Sequence, residues 1–193
     1  MSRIQTGDSW RLTNLKPVSG SLTVPNPRGW THLQFRRYAG CPICNLHLRQ
    51  FIRRKEEIVH RRVFEVIVFA STEAAISSYA ADIPFPIVAD PHRRLYSQLG
   101  LERSPWAVLP LKVMIAAMRG LLAFGAAFPE HWADATATPA DFLIDSGGIV
   151  QACNYGRHAD DQWTVDEILA LVPEPGPTMQ SGSAASGSHS ATP

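Results

Sequence analysis

The stretch Arg36-Arg37-Tyr38-Ala39-Gly40-Cys41-Pro42-Ile43-Cys44-Asn45-Leu46-His47 carries two cysteines three residues apart, entered from a strand-like segment and followed by a helix-like one. Residues i and i+3 in the first turn of a helix lie about 5 Å apart at Cα, inside the roughly 4.4 to 6.8 Å window that a disulfide requires. Such a pair can close and reopen. Cys41 falls at the N-cap and Pro42 at the first helical position, where a missing N–H costs nothing. The unpaired amides of that first turn then face the Cys41 sulfur and favour its thiolate, the reactive form of cysteine. Arg36, Arg37 and His47 add positive charge nearby in sequence and are read as modifiers of the thiol.

Working outward, Leu33 to Tyr38 reads as the strand that delivers Cys41. From Pro42 to about Val59 the apolar residues Leu48, Phe51, Ile52, Ile58 and Val59 recur at helical spacing, which predicts one amphipathic helix. Phe64 to Phe69 is β-branched and aromatic. Ser71 and Thr72 bound it and can cap a following helix that runs to about Ala81, with Glu73 in its first turn. Phe85 to Ala89 is a third strand, after which Asp90 is expected as N-cap with Pro91 at N1 and Gly100 as the stop. Phe142–Ile144, the turn Asp145-Ser146-Gly147-Gly148 and Ile149–Asn154 predict a hairpin. Thr164 and Glu167 form a capping box that opens a last helix through about Leu171. This succession predicts an α/β fold, a mixed central sheet with helices on both faces, of the thioredoxin-like architecture. In such sheets, sites lie at the carboxyl ends of strands, where Cys41 is placed.

The chain has 193 residues and 45% hydrophobic content, which suits one domain with a sizeable core. That domain is expected over residues 1–172. Residues 1–29 form an irregular lead-in, and residues 173–193, rich in Pro, Ser and Gly, a disordered tail. Lys plus Arg total 18 against 17 Asp plus Glu, so no global field exists to hold nucleic acid or an anionic membrane. The cluster Arg49, Arg53, Arg54, Lys55, Arg61 and Arg62 is read as the solvated face of the helix after the dithiol. Three cysteines are too few for a disulfide-stapled scaffold and the first residues lack an apolar signal core, so a reducing cytoplasm is expected. There a Cys-x-x-Cys is catalytic or metal-binding rather than structural.

Three segments resemble the peroxiredoxin-like branch of the alkyl hydroperoxide reductase/thiol-specific antioxidant (AhpC/TSA) superfamily, a thioredoxin-fold group. They are Phe35 to Cys44; Phe85-Pro86-Ile87-Val88-Ala89-Asp90-Pro91 leading to Leu95-Tyr96; and Ala140 to Asp145 with Gly147-Gly148-Ile149-Val150 behind it. The resemblance spans about residues 30 to 172 apart from an insertion. It implies a peroxidatic Cys41 followed by Pro42, resolved by Cys44, with no bound cofactor or metal and an external dithiol reductant, thioredoxin-like or of low molecular weight. Two positions depart from the family pattern. Tyr38 stands where a Thr or Ser usually binds the peroxide, and Thr138-Pro139-Ala140-Asp141 lacks the usual arginine. Pro139 matches instead the cis-proline that thioredoxin-like proteins set opposite their dithiol, which points to disulfide exchange. A protein disulfide reductase is therefore the second expectation. A non-catalytic binding or scaffold protein is the third.

The remaining chemistry-bearing residues have plainer readings. Zinc would find Cys41, Cys44 and His47, but Cys153 and His158 lie over a hundred residues away. Cys153 is read as a small core hydrophobe, His47 as a surface histidine, and His158, Asp160 and Asp161 as the polar lead-in to the last helix. The insertion, about 103–138, is crowded with Trp106, Leu109, Met114, Met118, Leu122, Phe128 and other apolar residues. It is interrupted by Pro110, Lys112, Arg119 and two glycines, so it is not a membrane span. A helix packed over the domain, a homodimer contact or a hydrophobic lid beside the thiols are its expected uses.

Overall fold

The computed structural model describes residues 3–12, 15–18, 21–101, 108–125, 129 and 132–174. Of the expected tail and insertion, residues 175–193, Trp106 and Phe128 lie outside the described residues.

Five strands form one sheet in the order β3-β2-β1-β4-β5. The strands are β1 (Trp30–Arg36), β2 (Val63–Phe69), β3 (Ile87–Ala89), β4 (Ala140–Ile144) and β5 (Val150–Tyr155). The first three pair in parallel, while β4 runs antiparallel to both β1 and β5. This is the mixed sheet that the sequence predicts. Strand alternation divides the core in two. Leu33 and Phe35 of β1, with Val66, Val68, Phe142 and Ile144, face a layer closed by Trp10, Leu15, Tyr96 and Leu99. Ile67 and Leu143 face the opposite layer, closed by Leu48, Phe51, Ile58, Ile76, Ile168 and Leu169. The lead-in is pinned across the first layer by bridges Ser9 to Ile149 and Pro17 to Val88.

The helices are α1 (Pro42–Arg53), α2 (Lys55–His60), α3 (Glu73–Tyr79), α4 (Arg94–Gln98), α5 (Leu111–Phe124) and α6 (Val165–Leu171). The Thr164/Glu167 box is present as expected, and of the two candidates Ser71 and Thr72 it is Thr72 that caps α3. The single helix expected over Pro42 to Val59 is instead two, because Arg54 leaves helical geometry at φ −104° and ψ 21° while its guanidinium binds Glu57 and Asp166. Asp90 does cap a helix, yet not from the adjacent position. Its carboxylate accepts the N–H groups of Arg94, Leu95 and Tyr96 across an intervening turn, so α4 starts at Arg94 rather than Pro91. Strand β1 starts earlier than its apolar run and stops at Arg36, before Tyr38. No helix among the described residues is long and apolar enough to cross a membrane.

Candidate active site

Cys41 is the N-cap of α1 with Pro42 opening the helix, as the spacing predicts. Gly40, at φ 79°, makes the sharp bend between β1 and α1 that a side chain would resist. Both Cys41 and Cys44 are free thiols with 1% exposure, packed with Tyr38, Ile43, Val113 and Ala159. Arg37 places Nη1 3.6 Å from the Cys41 sulfur, and its other terminal nitrogen donates to the Ala135 carbonyl in the 3-10 turn Trp132–Thr136. That second bond aims the guanidinium.

Burial alone pushes the Cys41 thiol up. It is outweighed by the hydrogen bond from the Cys44 thiol, the Arg37 charge and the Cys44 and Ile43 amides, which together bring Cys41 down to about 6. Cys44 moves the other way. Burial and its donation to the Cys41 sulfur hold it well above the ordinary thiol range. At neutral pH the pair is therefore one thiolate and one thiol that donates to it. Burial, then the Cys41 charge, also keep the Tyr38 phenol protonated, its hydroxyl directed at Cys41.

Helix α5 covers this pair, because Val113 joins the thiol cluster and Val108, Ala116 and Ala117 pack at its rim. The crossing with α1 is close: a Cβ added to Gly120 would lie 2.3 Å from the Pro42 carbonyl oxygen. Between the two helices, Arg37, Tyr38, Pro42, Ile43, Val113 and Met114 line a cavity of about 210 Å³. Within the described part of the insertion, α5 is thus packed on the domain and covers the thiols, while its Leu111, Met114, Ile115, Met118 and Leu122 stay exposed.

Cys41, Cys44, Tyr38, Arg37 and Pro42 come together as the sequence suggests, but other expected contributors do not. Arg36 turns away from the sulfur and binds Gln34 and Asp141. His47 is no surface histidine. It is mostly buried, with Nε2 3.0 Å from Asp160. Pro139 is not a cis-proline, since among the described residues the cis bond is Val24–Pro25. Pro139 enters β4 by an ordinary bond and its carbonyl accepts the Gly156 N–H. Cys153 sits opposite Phe142 in β5, its thiol directed at the Ile4 carbonyl.

One polar constellation escapes sequence reading. His32, Gln34 and Arg36 share one face of β1 and are fully buried with Glu65 of β2 and Asp141 of β4. His32 lies 2.7 Å from Glu65 and 3.2 Å from Asp141, and Arg36 donates to Asp141 at 2.7 Å. Burial lowers the His32 pKa, but the two carboxylates outweigh it and raise it to about 9. Asp141, pushed up by burial, is pulled down to about 2 by Arg36 and His32. The period-two row His32, Gln34, Arg36, with single carboxylates in two other apolar strands, was the available signal.

A buried thiol pair at the β1 to α1 junction of a mixed sheet defines a thioredoxin-like dithiol protein. The sequence profile of the AhpC/TSA family matches residues 10–153, and the chain belongs to that family. It is a thiol oxidoreductase. Among solved structures it is similar to the peroxidoxin BcpB of Mycobacterium tuberculosis, with a TM-score of 0.62 at 18% identity over 88% of this chain and 96% of that one. A peroxiredoxin 6 of Arenicola marina gives 0.62 at 17%, over 87% and 72% of the two chains. A Chlorobium tepidum protein assigned as the thiol:disulfide interchange protein DsbE gives 0.56 at 19%, over 88% and 99%. At these identities the likeness is one of fold. No curated protein matches the sequence.

Proposed function

We propose that the protein is a peroxiredoxin-like thiol peroxidase in which Cys41 attacks the peroxide and Cys44 resolves it. The observation that carries this reading is a thiolate lowered to about 6, held under a cover that leaves 1% of Cys41 exposed. The neighbouring cavity of about 210 Å³, lined by Arg37 and Tyr38 though by neither thiol, has room for a small peroxide but not for a protein chain. Because Pro139 is not cis, the cis-proline argument for disulfide exchange also falls away.

In the first step the Cys41 thiolate forms an S–O bond as the peroxide O–O bond breaks, giving Cys41 sulfenic acid and an alkoxide or hydroxide that takes a proton to leave as alcohol or water. Arg37 offsets charge at the reacting oxygens, in place of the arginine missing around Thr138 to Asp141, and the Tyr38 hydroxyl donates where the family has Thr or Ser. Once Cys41 is a neutral sulfenic acid, Cys44 loses the negative neighbour that held its proton. Cys44 then attacks the Cys41 sulfur, an S–S bond forms, the S–O bond breaks and water leaves. An external dithiol returns the disulfide to two thiols by exchange.

Hydrogen peroxide consumption with a regenerating dithiol tests the reading. Cys41→Ser falls to background, and Cys44→Ser still consumes one equivalent and accumulates a Cys41 sulfenic acid that dimedone traps, visible by mass. Full turnover in Cys41→Ser ends the proposal, and rapid insulin reduction without peroxide consumption assigns the chain to disulfide exchange.

A further inference from the structure

On the other flank of α5 from the cavity lined by Arg37 and Tyr38, α5 and α1 enclose a second, larger groove of about 480 Å³. That volume lies within the roughly 300 to 1,000 Å³ of small-molecule sites. Its charge is one-sided. Arg49, Arg53, Lys112 and Arg119 line it against a single carboxylate, Asp160, which is already paired with His47 at 3.0 Å. Among the described residues Arg53, Lys112 and Arg119 have no acidic partner, and Arg49 only an exposed one, Asp82, at 4.0 Å.

Apart from Gln50 and the His47–Asp160 pair, the rest of the wall is apolar. Ile115 and Phe124 line the groove, with Arg49 stacked 5.6 Å from the Phe124 ring centre. Ile115, Met118 and Leu122 follow one another along α5 at helical i, i+3, i+7 spacing, and all three are exposed. Unpaired cations beside an uncovered apolar strip suit a molecule with an anionic head and a hydrocarbon tail. A second copy of the chain suits them less, because a two-fold contact through this face sets each cation rim against its own image.

We infer that the groove between α1 and α5 binds a single long-chain carboxylate, its head on Lys112, Arg119 and Arg53 and its tail along Ile115 and Phe124 toward Met118 and Leu122. The guanidinium groups suit a carboxylate because their donors match its two oxygens. No thiol touches the groove, so this site does not depend on the redox reading.

Calorimetric titration of the full chain with sodium laurate below its micelle threshold tests it. One saturable site is expected, weakened roughly tenfold or more in Lys112→Glu/Arg119→Glu. The milder Lys112→Gln/Arg119→Gln is expected to weaken it as well, with circular dichroism unchanged in both. Neutral dodecanol is expected to bind more weakly than laurate. Binding persists in Cys41→Ser, so a failed peroxidase assay leaves this test intact. Equal binding of laurate and dodecanol, or laurate affinity untouched by both double variants, overturns the inference. So does adsorption to phosphatidylglycerol vesicles without affinity for monomeric laurate, which would assign the face to a membrane surface, or a stable dimer that occludes the groove.

Discussion

Two buried polar clusters share one strand, the first on the face of β1 from His32 to Arg36 and the second just past its carboxyl end from Arg37 onward, and they are built on opposite principles. In the sheet, His32 and Arg36 face Glu65 and Asp141, two cations with two carboxylates, all fully buried. At the helix start, Arg37 faces one sulfur that ionises near pH 6 and one thiol that stays protonated. The first cluster is balanced and locked at neutral pH. The second changes charge within the physiological range, and its charge is on an atom that can form bonds. Burial by itself therefore marks neither cluster as a site. What separates them is whether the charge can be spent on a new bond.

Four experiments break or sharpen that contrast. The largest effect belongs to Asp141→Asn, which takes from the buried Arg36 its only carboxylate partner among the described residues and leaves His32 with Glu65. A loss of about 3–5 kcal/mol in urea unfolding is expected, with Cys41 still titrating low in whatever folds. A neutral result would show that the sheet cluster contributes no net stability.

Second is alkaline pH. The His32 pKa is raised from 6.5 to about 9 on folding, so its contribution is complete below about pH 6.5 and disappears as pH climbs through about 9. Because the Cys41 thiolate, lowered to about 6 on folding, adds stability over the same range, the measure is the difference in unfolding free energy between wild type and His32→Leu. That difference is expected to shrink by a few kcal/mol from pH 6.5 to 10. A constant difference would show that His32 does not hold its proton through the cluster. Third, Gly120→Ala drives a methyl into the Pro42 carbonyl, which is backbone and cannot rotate aside. It should cost about 1–3 kcal/mol and, by lifting α5, speed alkylation of Cys41 by iodoacetamide. Unchanged alkylation would show that α5 does not govern access.

The smallest effect on folding, but the most direct on chemistry, is Arg37→Gln. The pH at which the Cys41 reaction reaches half its plateau rises from about 6, because a cation 3.6 Å from the thiolate is gone. Stability changes little. An unshifted midpoint would leave the Cys44 hydrogen bond and the helix amides as the whole cause.

Much of this was legible in the residues because the forces concerned are local. The Cys41 cap and Pro42 start follow from backbone hydrogen bonding in one turn, and the Thr164/Glu167 box from contacts three residues apart. Pro139 misled because a proline at a strand entrance has the same sequence whether its bond is cis or trans. The helix break at Arg54 was invisible because it is tied to Glu57 and to Asp166, a residue over a hundred positions away.

The sequence by itself determined the α/β succession, the dithiol at its first strand-to-helix junction and the identity of the thiol that ionises, since each depends on neighbours within a turn or a strand. Only the tertiary structure decided which arginine reaches the sulfur, that Arg36 belongs instead to a buried charge network, that α5 covers the thiols, and that His47 meets Asp160. Those outcomes rest on pairings between residues far apart along the chain. Strand register and the close crossing at Gly120 set them, and no local pattern encodes either.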